Sequence, residues 1–433
     1  MVRVGKSRFP HKTSGKHFII GVDYNKTING HTLIAGTSGS GKTHTIKSFC
    51  QQLSLKNCTT VVFDVHNDID INTTVTVELH ETSEYGINPF IVSTNEKNGG
   101  VRRNIRKFIK LIENNSRALG DKQKAVMINL LGDLYAANGF YADSPDTWSL
   151  RGEVRGKPKK HPTIKDLLRF TANKYRKLAI GGGDKSYKAL EQLNKKMQQL
   201  YRKGAKAEHE EELSALKTSA LEHFSSYVEN ITSGYELDEF LKYDSKEVLK
   251  STLDRITTLD DYGIFDGRDP VDLISLDGRG RGYRIKIKNL EDDAQKMFVE
   301  LSLRQLFEKA KARGEVDTPD LFIFLDEADM FMCKEKEHII NIILKQGRKF
   351  GIALCLSSQS LSHFPDDVVG NTAVKIILAV AESNQESTAR KLRIETKRIQ
   401  HLKPQQTALV FLKHKGENTI AVEATTQDRP TSG

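Results

Sequence analysis

Four cysteines in 433 residues (Cys50, Cys58, Cys333 and Cys355), none in C-x-x-C spacing, argue against a zinc centre and a disulfide framework. They read as reduced packing residues. No run of about 18 apolar residues occurs, so no membrane-spanning helix is expected. The opening Met1-Val2-Arg3-Val4-Gly5-Lys6 lacks the apolar stretch of a secretory signal, and these absences together predict a cytoplasmic protein without stable membrane insertion. Internal repeats and low-complexity segments are also missing.

What is present describes a globular chain long enough for one large α/β core plus an inserted or appended domain. Hydrophobic residues make up 38% and charged residues 28% of it. The formal net charge of +10 and a pI near 9.1 point to a polyanionic partner, nucleic acid before membrane.

The most informative segment is Gly36-Thr37-Ser38-Gly39-Ser40-Gly41-Lys42-Thr43, a complete G-x-x-x-x-G-K-[ST] phosphate loop. The apolar run His31–Ala35 leads in as a strand, and His44–Phe49 leads out as a helix. Glycines let the backbone wrap a phosphate chain, so that N–H groups and a helix N-terminus face the anion. This implies nucleotide contacts from Gly36 through His44. Lys42 supplies charge for the β/γ-phosphates, and the Thr43 hydroxyl is a ligand for Mg²⁺.

Further along, Thr59–Asp64 reads as a buried strand ending in an acid, so strands and helices alternate as in a parallel sheet. Residues from about 97 to 260 then follow a helical period, interrupted by a loop around 143–160 and by Gly181-Gly182-Gly183. Strand patterns return at 271–276, 282–287, 321–325, 352–357, 373–380, 407–412 and 419–422, with helices at 292–313 and near 337–350. The expected organisation is a short segment 1–30, a first core part 31–96, a helical insert 97–260, a second core part 261–425 and a frayed tail 426–433. The expected fold class is α/β, a P-loop NTPase core with a mostly parallel sheet and a large helical insert.

Leu321-Phe322-Ile323-Phe324-Leu325 followed by Asp326 and Glu327 supplies the partner of the phosphate loop. A buried parallel strand delivers both acids to its C-terminal end, where ligands sit in open α/β sheets. Asp326 is then placed to hold Mg²⁺ through water, and Glu327 to orient or deprotonate the attacking water. One strand over, Gln359 has two readings: contact with the γ-phosphate or its water, or a strand-end amide facing solvent. His66, without partners at ligand spacing, reads as a local hydrogen-bonding group and not a metal ligand.

In order along the chain, GTSGSGKT at 36–43, FDVHND at 63–68, Ile87-Asn88-Pro89-Phe90, Leu253–Phe265, LFIFLDEAD at 321–329, GRKFGIAL at 347–354 and SSQ at 357–359 resemble the HerA/FtsK superfamily of ring-forming, DNA-pumping ATPases, within it the HerA branch. The likeness spans roughly residues 30–425 and is weakest in the insert. It implies a RecA/FtsK-like core, ATP and Mg²⁺ as cofactors, a homo-hexamer and double-stranded DNA as partner. It also implies that Arg348 reaches into a neighbouring subunit's site as an arginine finger, against the plainer reading of a cation at a helix C-terminus. Gln359 matches the family's polar sensor. Two departures stand out: residues 1–30 are too few for the family's N-terminal β-barrel, and Asn67 stands where the family often has glycine.

Cation clusters in the insert (Arg102, Arg103, Arg106, Lys107 and Lys110; Arg155, Lys157, Lys159 and Lys160; Lys174, Arg176 and Lys177) suit either a DNA-lined channel or a solvated helix face. The loop Asp277–Gly282 reads as a mobile hairpin tip or a DNA-contacting loop. The leading expectation is an ATP-driven motor on duplex DNA working with a separate nuclease or effector, in DNA processing or antiphage defence, since this chain offers no nuclease chemistry. The alternatives are a conjugation- or secretion-type ATPase, and an ATP-dependent assembly scaffold for an effector enzyme.

Overall fold

The computed structural model describes every residue except 10–15, 72–74, 98, 181–183, 205–209, 231–241, 334, 336 and 427–433. The triple glycine and nearly all of the expected frayed tail therefore lie outside the described residues. The chain divides into two compact units, one of residues 1–87, 114–116 and 262–433, the other of 88–113 and 117–261.

The first unit begins with β1 (Val2–Ser7), β2 (Ile19–Val22), β3 (Thr32–Ala35), β4 (Thr59–Asp64) and β5 (Val75–Glu78); of these, β3 and β4 are buried throughout. In the second unit β6 (Glu153–Val154) and β7 (Lys157–Pro158) make a small hairpin. The first unit resumes with β8 (Gly282–Lys286), β9 (Val316–Leu325), β10 (Phe350–Ser358), β11 (Val374–Ile377), β12 (Thr407–Leu412) and β13 (Ile420–Thr425).

Among the described residues one sheet takes the order β2-β1-β13-β12-β11-β3-β10-β9-β4-β8-β5. From β11 to β5 all neighbours are parallel; β12, β13, β1 and β2 extend the sheet antiparallel. The central parallel strands β3 and β4, the second half of β9 and all of β10 after its first residue are buried, as strands covered on both faces require. The helix Lys42–Ser54 buries Ile46, Phe49, Cys50 and Leu53, one stripe at helical spacing. Cys50 and Cys355 are buried, and all four cysteines are free thiols.

One local expectation fails, and strands form where none was expected. Residues 271–276 are no strand: Asp269 caps a short helix, Pro270–Leu273, accepting from the Val271 N–H at 2.9 Å, with Pro270 at the first helical position. This cap signal outweighs the short strand-like pattern. β1 and β5 were not anticipated, because each is short and lies at or near an outer part of the sheet, where pairing rather than a long apolar run defines the strand. The loop 277–282 is anchored: the Ser54 hydroxyl donates to the Gly280 carbonyl, and a Cβ on Gly280 would stand 2.2 Å from the Ser54 carbonyl oxygen.

The helix Asp292–Arg313 carries a buried charged knot. Glu300 accepts from Arg304 at 2.6 Å and from Asn115 at 2.6 Å, and lies 3.4 Å from His338. Burial by itself would raise its carboxyl, but the hydrogen bond from His338 and the charge of Arg304 hold it down at about 2. Removing one partner of such a group leaves the others uncompensated, so Glu300→Gln should cost about 3 kcal/mol of stability by denaturant unfolding near neutral pH. A depressed carboxyl stabilises fully above its unfolded value of 4.5 and loses that contribution as pH falls toward about 2. The gap between parent and variant should therefore shrink on acidification within that window.

In the second unit, Phe90 packs against Phe108 at 4.8 Å and Tyr135 at 6.2 Å between ring centres. The Tyr135 hydroxyl donates to the Phe90 carbonyl at 3.0 Å. On the helix Val101–Asn115, Val101, Ile105, Phe108 and Ile109 are buried while Arg102, Arg103, Arg106 and Lys110 are exposed. Arg102 is paired with Asp143 at 2.7 Å, and Lys159 sits over the Phe140 ring at 4.1 Å.

Candidate active site

The phosphate loop lies at the C-terminal ends of the parallel strands. Its start is pinned from two neighbours: the Gly36 N–H donates to the Ser358 carbonyl at 3.1 Å, and the Thr37 N–H to the Ala379 carbonyl at 2.9 Å. A Cβ on Gly36 would stand 2.5 Å from the Ser40 hydroxyl, so the first turn closes only around glycine. Gly41 takes φ +103°, left-handed backbone that side chains resist, and there the chain swings into the helix Lys42–Ser54. That helix begins with no side-chain cap, and the first N–H groups of a helix have no partner within it. Ser40 Oγ is buried with no hydrogen-bond partner. An uncapped helix start, a buried unsatisfied hydroxyl and a wrapped glycine turn fit a chain of phosphates.

Lys42 is buried, donates to the Gly36 carbonyl at 2.9 Å, and has its Nζ 3.8 Å from Glu327 Oε1. β9 delivers Asp326 and Glu327 to this edge. The Ser357 hydroxyl donates to Asp326 Oδ1 at 2.6 Å. Burial pushes the Asp326 carboxyl above its ordinary value; the Ser357 hydrogen bond opposes the rise and the negative charge of Asp68 adds to it. Glu327 takes φ +43°, ψ +51°, a strained conformation for a residue with a side chain. Its Oε1 accepts from Gln359 Nε2 at 3.4 Å and stands 4.0 Å from His66 Nε2. The Thr43 hydroxyl donates to Asp68 Oδ2 at 3.3 Å. Two carboxylates, a threonine hydroxyl and a lysine thus converge where phosphates and a divalent cation fit.

Gly36, Thr37, Ser38, Gly39, Ser40, Gly41, Lys42, Thr43, Asp326, Glu327 and Gln359 therefore share one edge; His44 is exposed on the first turn of the helix. Arg348 is not among them. It lies exposed on the short turn Gly347–Lys349 that precedes β10, whereas Gln359 follows the same strand. The eight steps along the nine residues of β10, at about 3.3 Å each, separate its two ends by roughly 26 Å, so Arg348 cannot touch the phosphate loop of its own chain. Asp64 is committed elsewhere, fully buried with Arg284 at 2.7 Å.

Three contributors were not singled out beforehand. Ser357 and Asp68 border Asp326; the sequence picks out their segments, 357–359 and 63–68 (the latter on the ligand edge), but not the role of either residue. Gln405 donates from Nε2 to the Gly39 carbonyl at 3.0 Å and from its N–H to the Ser40 carbonyl at 3.1 Å, bracing the loop from the segment before β12. Asn67 takes φ +61°, a conformation glycine adopts freely and asparagine more readily than most residues; this accounts for asparagine at a position where glycine was the expectation.

A family model described as helicase HerA, central domain, matches residues 11–306. Among solved structures, the fold is similar to VirB4 of Thermoanaerobacter pseudethanolicus, with a TM-score of 0.60 and 17% identity over 97% of this chain and 95% of that one. It is also similar to the bacterial conjugative coupling protein TrwBΔN70 in its unbound form, with a TM-score of 0.52 and 13% identity over 92% of this chain and 86% of that one. TrwB in complex with ADP and Mg²⁺ gives the same TM-score of 0.52 at 14% identity. At such identities the likeness is one of fold. No curated protein matches the chain.

Proposed function

Because the chain belongs to the family of the helicase HerA central domain, we propose that it is an ATPase that binds ATP with Mg²⁺ at the glycine turn and hydrolyses it in a ring of copies acting on double-stranded DNA. The observation that carries this reading is the 3.8 Å approach of Lys42 to Glu327, which joins the phosphate-binding turn to a carboxylate placed for water. TrwB, of similar fold, has been captured with ADP and Mg²⁺, which supports the same cofactors here.

Mg²⁺, when bound, neutralises charge across the β- and γ-phosphates. Lys42 and the helix start hold the phosphate chain. Thr43 and Asp326 are the residues placed to hold the cation, with Asp68 beside them. Glu327 accepts a proton from the attacking water, and Gln359, already bonded to that carboxylate, orients it. Arg348 serves the site of an adjacent copy.

Protons compete with the cation at Asp326. With its carboxyl raised by burial, Mg²⁺-dependent nucleotide binding should weaken on acidification from a higher pH than an ordinary aspartate would dictate. Asp68→Asn removes a nearby negative charge and should move that midpoint to lower pH, read by titrating nucleotide affinity against pH.

We assign the work to the cytoplasm, with a separate nuclease or effector partner in DNA processing or defence; among the described residues no helix is long and apolar enough to cross a membrane. The test is hydrolysis with and without duplex DNA. A motor should speed up several-fold with DNA, and its affinity should fall about tenfold or more between 50 and 200 mM salt if backbone phosphates are the contacts. Hydrolysis indifferent to DNA would favour the scaffold reading. A conjugation- or secretion-type role is the second reading, favoured by the likeness of fold to the bacterial conjugative coupling protein TrwBΔN70 over 92% of this chain.

A further inference from the structure

β11 has the phosphate loop beyond one end and a basic cavity at the other. Beyond its C-terminal end Ala379 receives the phosphate loop. At its N-terminal end Lys375 lines a cavity of about 780 Å³ whose rim also holds Arg390, Lys391, Arg393 and Lys413, against one acid, Asp366. Lys391 is occupied, donating to the Phe364 carbonyl and lying 3.4 Å from Asp366. Lys375 donates only to the Thr372 carbonyl, at 2.7 Å, a contact that leaves its charge uncancelled. None of Lys375, Arg390, Arg393 and Lys413 has a carboxylate partner among the described residues. Burial, with the charge of Lys413 adding, pushes the Lys375 amine down to about 8.

Arg390, Arg393 and Lys413 are exposed at the rim and Lys375 is half-buried; like charges around one recess favour the entry of an anion. We propose that this cavity is a second anion site, separate from the phosphate loop, for a small, multiply charged phosphate compound. The volume lies in the range of small-molecule sites. Guanidinium groups present paired donors to phosphate oxygens while lysines add point charges. Phe411 and Val369 supply apolar wall beside them, suited to an organic portion of a phosphate ester. A nucleic-acid duplex carries its phosphates on a convex surface and does not fit a recess of this kind.

The test uses the full chain carrying Lys42→Ala, so that the phosphate loop is silenced and the outcome is independent of whether the chain hydrolyses ATP. Inorganic tripolyphosphate is the probe, followed by calorimetry and by thermal unfolding at fixed ionic strength. Binding is expected, with a rise in melting temperature. Adding Lys375→Met should weaken it at least tenfold while leaving the melting temperature without probe no lower, since a half-buried charge repelled by Lys413 has gone. Lys413→Met, at an exposed position, gives the same reading should the first variant fail to fold. No binding to the Lys42→Ala protein, binding undiminished by both further substitutions, or displacement of the probe by duplex DNA would each overturn the assignment.

Discussion

Glu327→Gln protein should bind ATP and Mg²⁺ at least as tightly as the parent and hydrolyse ATP about 10²- to 10⁴-fold more slowly, the range over which a positioned general base acts. The substitution keeps the shape of the side chain and an oxygen for the Gln359 amide, 3.4 Å away. It removes the charge that lies 3.8 Å from Lys42, which frees the lysine for phosphate and gives no reason for weaker binding. The loss, about 3–5 kcal/mol of barrier, should therefore fall on turnover alone. A nucleotide-induced melting shift equal to the parent's, with single-turnover hydrolysis nearly abolished, is the expected pair of readings. Turnover within threefold of the parent would remove Glu327 as the base. Lys42→Ala supplies the contrast, because it should lose the melting shift itself.

Arg348→Ala protein should bind nucleotide normally and lose about 10³–10⁵ in turnover, the effect of removing a cation that stabilises the transferring phosphoryl group. Its position makes the effect diagnostic. The residue stands at the start of β10 and the phosphate loop beside the strand's end, roughly 26 Å apart along a nine-residue strand. Any catalytic influence must pass from one copy to another. Mixing Arg348→Ala with Lys42→Ala chains should thus partly restore activity, since one supplies an intact phosphate loop and the other an intact arginine. Each alone should stay inactive across all concentrations. If the mixture gains nothing, Arg348 acts as the cation that follows the helix Ile339–Gln346 and not as a finger.

Local chemistry made parts of this molecule legible and left others hidden, for physical reasons. The phosphate loop is a contiguous segment whose function lies in its own backbone, so glycines at 36, 39 and 41 and the lysine after them announce it before any folding. The run 321–325 ending in two acids is likewise complete in itself, because a strand buried on both faces needs apolar residues throughout. The outer strands β1, next to the β2 edge, and β5, the opposite edge, gave no such sign. They are defined by partners, β1 by β13 and β2, β5 by β8, and a partner is not a local property. Residues 271–276 misled because their mixed apolar and polar pattern suits a short strand, while one aspartate and one proline just ahead set a helical turn.

By itself, then, the chain determined the elements of the parallel core other than β5, the presence of a phosphate-binding turn and the pair of acids, since each is written in neighbouring residues. The tertiary structure alone decided which groups meet. It brought Asp68 to Thr43, Ser357 to Asp326 and Gln405 to the glycine turn, and it removed Arg348 to the far end of its strand. It also gathered Lys375, Arg390, Arg393 and Lys413 around one cavity. These encounters join residues from separate strands and loops, and they follow from the order in which strands pair, which no single segment encodes.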